Sequence, residues 1–494
     1  MYRLISITLM AALVSGGHGD GFAPAHRLTG IGAARAEISD ELLAARTRLM
    51  IESQTFGILR DPRAVLGAQR IQNPKLEKIF DQAERISGWP APLLASIAYL
   101  ESFGDPLAQS PTGPKGIMQI SGATAKAMGL RMIYSTHYRV TTEKREVRGK
   151  RGKVSTRSVK VKTPYTVLVK DERLSPERAI PAAASYLARL ENSLGGRDWA
   201  VFAYHCGPGC VANMQALTQE AKGIKNPITV ARMFFGASPA LNRNLYLELK
   251  RQMDRDYSPT YWFRVMRAMQ LLALYKEDRD AFLTLVEQYK FEPDPSQRAH
   301  DRLACWLRPK DLVYQSNDDL KREQGKALVK AFDDPEYFGF ALRKSGRGAI
   351  GAPDFLNQES YFQASPSAVG TLSYIAFETR RLHEAMKPKG EKFVPLEVTS
   401  LVRPLNSAVR FFTGATESNE SLAHSSGHVF DIDYASLPPG EQEALQFVLE
   451  DMGWEGYLGF VEESPKSGLM HIGCSPSSRE FFAQVFQEAL EAKK

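Results

Sequence analysis

Two groups of residues in this 494-residue chain have the types and spacing for chemistry. The first centres on Glu101. Pro90-Ala-Pro92 suits a helix start, and Leu94, Ile97, Ala98 and Glu101 then fall at i, i+3, i+4 and i+7 of one helical stripe. A carboxylate drawn into an apolar wall is desolvated, which favours its neutral form and raises its pKa, as a general acid working near neutral pH requires. A Glu that ends an apolar helix more often turns back to solvent, so the stripe alone does not decide its role. The second group is His424-Ser-Ser-Gly427-His-Val-Phe-Asp431 together with Gly468-Leu-Met-His471-Ile-Gly-Cys474. Two His and one Asp suit a catalytic zinc with a fourth position left for water. Gly427 would let the chain turn so that His424 on a loop and Asp431 on a strand converge, while His471 arrives from another strand. His428 either joins them or faces solvent.

What surrounds Glu101 carries a resemblance. Glu101-Ser102, Ser110-Pro-Thr-Gly113-Pro-Lys-Gly116-Ile-Met118-Gln119, Thr124-Ala125 and Ala203-Tyr204-His205-Cys206-Gly207-Pro208-Gly209 occur in order. Together they resemble the soluble lytic transglycosylases of the goose-type lysozyme-like superfamily, over roughly residues 76–214 with an insertion at 130–171. His205 stands where that family usually has Asn. The resemblance implies a mainly helical lysozyme-like domain in which Glu101 protonates the glycosidic oxygen between N-acetylmuramic acid and N-acetylglucosamine. It then accepts the proton of the muramoyl C6 hydroxyl, leaving a 1,6-anhydromuramoyl end. Ser110, Gln119 and Tyr204 would line the cleft, Met118 would wall it, and no cofactor is implied there. Most glycosidases use two carboxylates, and the sequence places no second one beside Glu101.

The second group resembles the zinc D,D-peptidases and related murein endopeptidases over about residues 398–474, with Ser400-Leu-Val-Arg403 as their upstream strand and Arg403 as a substrate contact. The general-base Glu that those enzymes commonly carry three or four residues before the last His is replaced by Gly468 and Ser467, with Glu462 and Glu463 further upstream. Metal polarises water, but proton transfer still needs an acceptor, so this domain is expected either to cleave peptide through one of those two Glu or only to bind it.

The remaining chain must position these groups. Residues 1–19 carry Arg3, an apolar run and small residues, the layout of a secretory signal peptide, which implies export to the periplasm or cell envelope. With 43% hydrophobic residues the chain supports several cores. Net charge is +7, concentrated in residues 144–162, where Lys and Arg crowd around one acid, Glu146. Flanking alternation and central glycines give a long basic β-hairpin, residues 134–170, inserted in a helical domain. It is either a solvated loop or a dock for an anionic envelope polymer or membrane surface. An exported protein has little use for nucleic acid. Cys206 and Cys210 are placed to close a short bridge around the Gly-Pro-Gly turn, whereas Cys305 and Cys474 read as core thiols. Residues 261–275 and 282–286 have helical apolar content without evident chemistry. By contrast, Val429-Phe-Asp-Ile-Asp-Tyr434 alternates with the period of a half-buried strand.

The sequence therefore reads as a signal peptide (1–19), an N-terminal segment (20–70), a lysozyme-like domain (71–216), a helical connector (217–351) and an α+β zinc-peptidase-like domain (352–494). The function it implies is cleavage of peptidoglycan by a lytic transglycosylase with a second, metal-dependent site. The competing reading is a non-catalytic peptidoglycan-binding scaffold, which would have no use for the acid at 101.

Overall fold

A computed structural model describes residues 21–25, 28, 38–148, 154–289, 313–343, 361–404, 424–462 and 468–493. The signal-peptide segment, the turn of the basic hairpin, Cys305, Glu463 and Ser467 lie outside the described residues. The chain divides into two compact units, residues 56–211 with 260–290, and residues 1–55 with 212–259 and 291–494. This redraws the expected connector. Its first helices cluster with the C-terminal sheet, and its last two join the unit that holds Glu101.

In chain order the helices α1 (Asp40–Leu59), α2 (Ala64–Ile71), α3 (Pro74–Ser87), α4 (Ala91–Ser102) and α5 (Gly122–Ala127) lead to the strands β1 (Met132–Arg148) and β2 (Val154–Asp171). Helices α6 (Pro176–Leu194), α7 (Arg197–Cys206), α8 (Pro208–Glu220), α9 (Val230–Gly236), α10 (Arg243–Asp256), α11 (Tyr261–Glu277) and α12 (Arg279–Tyr289) follow. In the Glu101 unit α4 is central. Pro90 and Pro92 open it as the sequence suggests, and its buried residues include Ala91, Leu93, Leu94, Ile97, Ala98 and Tyr99, so more than one stripe is covered. A helix apolar all round belongs inside a bundle, and α11 packs along it. Tyr99 donates to the Ala64 carbonyl at 3.0 Å, and Gly67 leaves room for the Tyr99 and Phe103 rings that a Cβ would meet at under 3 Å.

The loop after α4 is fixed by polar contacts. Ser102 Oγ donates to the Ile117 carbonyl at 2.8 Å, which explains the serine beside Glu101. Gly116 has φ +77°, and a Cβ there would lie 1.8 Å from the Arg173 carbonyl oxygen, so only glycine fits. Arg173 also donates to the Gly113 and Ile120 carbonyls at 3.2 and 3.1 Å. The basic insertion forms as expected, an antiparallel ribbon registered from Met132↔Asp171 to Arg148↔Val154 with one irregularity near Tyr134.

The second unit contains α13 (Asn317–Glu323), β3 (Val329–Lys330), α14 (Pro335–Phe338), β4 (Phe340–Leu342), β5 (Gln363–Ala364) and α15 (Pro366–Met386). Beyond these lie β6 (Leu396–Ser400), β7 (Val429–Asp433), α16 (Pro439–Trp454), β8 (Leu458–Glu462), β9 (Leu469–Cys474) and α17 (Arg479–Ala492). Five strands form one sheet in the order β4-β6-β7-β9-β8, antiparallel except for β4 beside β6. Val398, Phe430, Ile432, Met470 and Ile472 join one core with α15, α16 and α17; each such side chain contributes roughly 1.5–3 kcal/mol by leaving water. Gly370 of α15 lets α17 approach, since a Cβ would sit 1.9 Å from the Phe482 carbonyl oxygen. The expectation of a half-buried β7 is corrected: Val429 to Ile432 are all buried, because β7 is central and both of its faces are covered. Arg46 of α1 is buried against Asp451 at 2.5 Å and Glu455 at 2.6 Å, tying α1 to α16. Burial costs all three charges their hydration, and mutual pairing offsets it.

Gly116→Ala is expected to destabilise the chain by about 2 kcal/mol or more, because it adds both an unfavourable φ and a backbone clash. Urea unfolding followed by circular dichroism measures this, and a change below about 0.5 kcal/mol would contradict the packing of Arg173 on this loop.

Candidate active site

Glu101 is the penultimate residue of α4, and Phe103 ends that helix with φ +50°. Part of the residue remains reachable, yet protein closely surrounds the carboxyl. Burial pushes its pKa up to about 7, against the opposing effects of a hydrogen bond from Tyr261 and the nearby charge of Arg264. The Tyr261 hydroxyl donates to Glu101 Oε1 at 2.5 Å. Burial, together with the neighbouring Glu101, holds the Tyr261 phenol well above its ordinary pKa, so it stays a donor. Tyr261 opens α11, and Arg264 stands three residues on, on the same side of that helix.

Tyr204 lies near the end of α7, as the sequence suggests, and donates to the Met118 carbonyl at 2.8 Å. His205 stacks on Tyr261, with ring centroids 4.6 Å apart and planes 29° apart. The position that departs from the family pattern is thus in contact with the phenol that holds Glu101. Ser110 is partly exposed and shares a hydrogen bond with Thr112 at 2.8 Å. One expected cleft contact, the Met118 side chain, needs correction. Met118 has no accessible surface, so its side chain lies beneath the site and its carbonyl is the part that acts. Gln119, with φ +44°, donates its amide to the Ala108 and Gly116 carbonyls at 3.2 and 2.9 Å, so those protons brace the loop. Cys206 and Cys210 are thiols, so the short bridge that the sequence left open is not formed. Cys206 ends α7 and Cys210 lies in the first turn of α8, on either side of Gly207 at φ +89°.

Tyr261 was not found by sequence reasoning. It lies 160 residues from Glu101 in a stretch that looked like plain helix, and only its pairing of a phenol and Arg264 one turn apart hinted otherwise.

Residues 78–144 and 154–227 match the model of the transglycosylase SLT domain. The chain is 31% identical over 210 residues to the membrane-bound lytic murein transglycosylase F of Alcanivorax borkumensis, covering 38% of this chain and 36% of that protein. It is 34% identical over 138 residues to the peptidoglycan transglycosylase gp16 of Escherichia phage T7, covering 28% and 8% respectively. A third relative, membrane-bound lytic murein transglycosylase F 2 of Alkalilimnicola ehrlichii, is 43% identical over 70 residues, 14% of this chain and 16% of its own. The matches thus span well under two thirds of these relatives' lengths.

In the other unit the structure brings His424, Asp431 and His471 together, all buried, with ligand atoms within 4.8 Å of one another. Asp431 and His471 are direct cross-strand partners on β7 and β9, and Gly427 makes its turn with φ +73°. His471 Nδ1 lies 2.6 Å from Asp431 Oδ1. His424 Nδ1 lies 2.7 Å from the Leu401 carbonyl, which can only accept, so this nitrogen carries the proton of a neutral ring. Burial keeps the ring neutral by pushing its pKa down to about 4. Its Nε2 lone pair then faces Asp431 Oδ2 at 3.2 Å with no hydrogen bond. Asp431 is held well below the usual carboxylate range: burial opposes its charge, and His471 on Oδ1 with the Arg403 guanidinium on Oδ2 offsets that cost. Two electron-rich atoms turned toward each other in a buried site are what a cation would reconcile.

Arg403 donates to Ser400 Oγ at 2.6 Å and to Asp431 Oδ2 at 3.2 Å, while His428 meets Ser365 at 2.9 Å and is outside the cluster. The expected bases fare differently. Glu462 pairs with Met470, whose side faces the hydrophobic core, so it belongs to the opposite sheet face from His471. Gly468 has φ +64°, and a Cβ there would come within 2.3 Å of Ala435 Cβ, so no Glu fits.

The Glu101 carboxyl is expected to titrate near 7, and Tyr261→Phe to move it higher, because the lost O–H···O bond favours the charged form. Carbon-detected NMR of labelled glutamate checks both, and titration near 4.5 in the intact protein would contradict the burial described.

Proposed function

We propose that this chain cleaves peptidoglycan glycan strands as a lytic transglycosylase, with Glu101 serving as acid and then base. The observation that carries this is the Glu101 carboxyl, raised to about 7 by burial and held by Tyr261 on Oε1. Because Oε1 accepts from the phenol, the acidic proton belongs on Oε2, free to be given to the glycosidic oxygen. As the C1–O bond breaks, Glu101 becomes a carboxylate stabilised by Tyr261 and Arg264. It then takes the proton of the muramoyl C6 hydroxyl as O6 bonds to C1. The carboxylic acid is restored, no water is consumed, and the product ends in a 1,6-anhydro ring. One carboxyl suffices because the attacking group belongs to the substrate. The names of the relatives, murein and peptidoglycan transglycosylases, support this substrate class, and the membrane-bound designation of the murein enzymes supports an envelope location. No helix among the described residues is long and apolar enough to cross a membrane.

The second unit is proposed to hold one zinc through His424, Asp431 and His471, the orphaned His424 Nε2 being the observation that supports it. Bound zinc would act as a Lewis acid toward a peptide carbonyl or water. Arg403, partly exposed beside Asp431, would contact a carboxylate of the peptide. With Gly468 closed to larger residues and Glu462 on the other face, binding of wall peptides is the better-supported role.

Glu101→Gln is expected to keep the fold and sacculus binding while lowering release of anhydromuropeptides at least about 100-fold, because the amide cannot supply the proton. For the intact protein kcat/KM should fall as pH rises through about 7, since the acid must be protonated and its raised pKa keeps it so below that point. Mass spectrometry of products from purified sacculi reads both, and full activity of the variant would refute the assignment. Separately, plasma emission should find about one zinc per chain, lost in His471→Ala. Metal-free protein from a zinc-replete preparation would refute that site.

A further inference from the structure

We propose that the β1–β2 ribbon is a binding arm for the peptide-bearing glycan strand, continuing the Glu101 site outward; this rests on the reading of the chain as a peptidoglycan enzyme. The ribbon is about 55 Å long if its 17-residue strand is extended. Seven of the fourteen exposed large hydrophobic side chains among the described residues are on it: Ile133, Tyr134, Tyr138, Val140, Tyr165, Val167 and Val169. Such a concentration marks an interaction surface, since isolated exposed hydrophobics are ordinary but a cluster is not.

The register sorts these residues. Tyr134, Tyr138, Val140 and Lys144 share one face with Lys160 and Lys162, which pair with Thr142 and Val140. The opposite face carries His137 directly across from Tyr165 and Arg139 diagonal to it, with ring or guanidinium separations of 5.7–5.8 Å. Aromatic and aliphatic side chains therefore crowd the half near the root, and among the described side chains beyond it Lys144, Arg145, Lys160 and Lys162 are exposed, with Glu143 and Glu146 between them.

This order separates two occupants. A bilayer would take apolar residues at the far end, with cations behind them at headgroup level; the ribbon has the reverse. A wall glycan fits it: pyranose rings offer C–H faces to tyrosines, and the carboxylates of its peptide stems meet the cations. The root supports the same occupant. Asp171 at the end of β2 pairs with Arg173 at 2.7 Å, and Arg173 grips the Gly113 and Ile120 carbonyls of the loop that carries Met118 and Gln119. The arm thus grows out of the loop beside Glu101.

The test is cosedimentation of the full-length Glu101→Gln protein with purified sacculi at several salt concentrations, and with phosphatidylglycerol vesicles. Lys144, Lys160 and Lys162→Ser together should weaken sacculus binding about tenfold at low salt and flatten its salt dependence, because exposed charges are screened beyond ~10 Å at 0.1 M. Tyr134 and Tyr138→Ser should weaken it by a similar factor without altering the salt slope. Unchanged melting temperatures would confirm that these exposed changes leave the fold intact. Unaltered sacculus binding in both variants would overturn the proposal, as would vesicle binding by the parent that the variants abolish. Since binding is read in an inactive protein, the outcome is independent of whether Glu101 cleaves glycan.

Discussion

The cost of burying one carboxyl organises the Glu101 unit. A carboxylate taken out of water must either find charge partners or keep its proton, and Glu101 keeps its proton because Tyr261 offers one hydrogen bond and Arg264 only a nearby charge. The opposing effects leave the group balanced near neutrality. A deeper site without the phenol would hold the proton too tightly to release it, and one open to water would lose it before reaching substrate. The all-round apolar α4, the packing of α11 along it, and the loop pinned by Ser102 and Arg173 together make that intermediate environment possible.

The local part of this arrangement was legible in the sequence. Pro90 and Pro92 mark the start of α4, the Glu-Ser and Gly-rich blocks mark its end and loop, and strand alternation with glycines marks the ribbon. Chemistry divided between distant segments was not. Tyr261 carries no motif of its own, and an α11 read by apolar content alone looks like structural helix. Met118 was misread in a related way: a motif names the residues at a site but does not say whether side chain or backbone faces it. In the loop described here the Met118 carbonyl and the Gln119 amide both act on the protein itself.

In the sheet unit the pattern of legibility differs. The period of two placed Asp431 and His471 on strands, and Gly427 as a turn, because side-chain alternation and positive φ follow from local chemistry. Burial did not follow. A strand whose residues alternate apolar and acidic looks half-exposed until its place in the sheet is known, and β7 is the central strand. Gly468 is instructive in the same way. The sequence shows only that a Glu is absent, whereas the structure gives the reason, a backbone at positive φ pressed on Ala435.

Glu101 and Asp431 are both buried carboxyls, yet one sits near 7 and the other is held ionised. The difference lies in their partners, not in depth. Around Glu101 the nearest donor is a neutral phenol that releases no proton, so ionisation goes largely uncompensated and the group suits proton transfer. Asp431 instead has His471 on Oδ1 and the Arg403 guanidinium on Oδ2, which compensate its charge. That surplus of stabilisation makes Asp431 a poor acid. It leaves His424 with an unfilled lone pair directed at a permanent negative charge, and an arrangement of that kind is suited to a cation rather than to a proton that comes and goes.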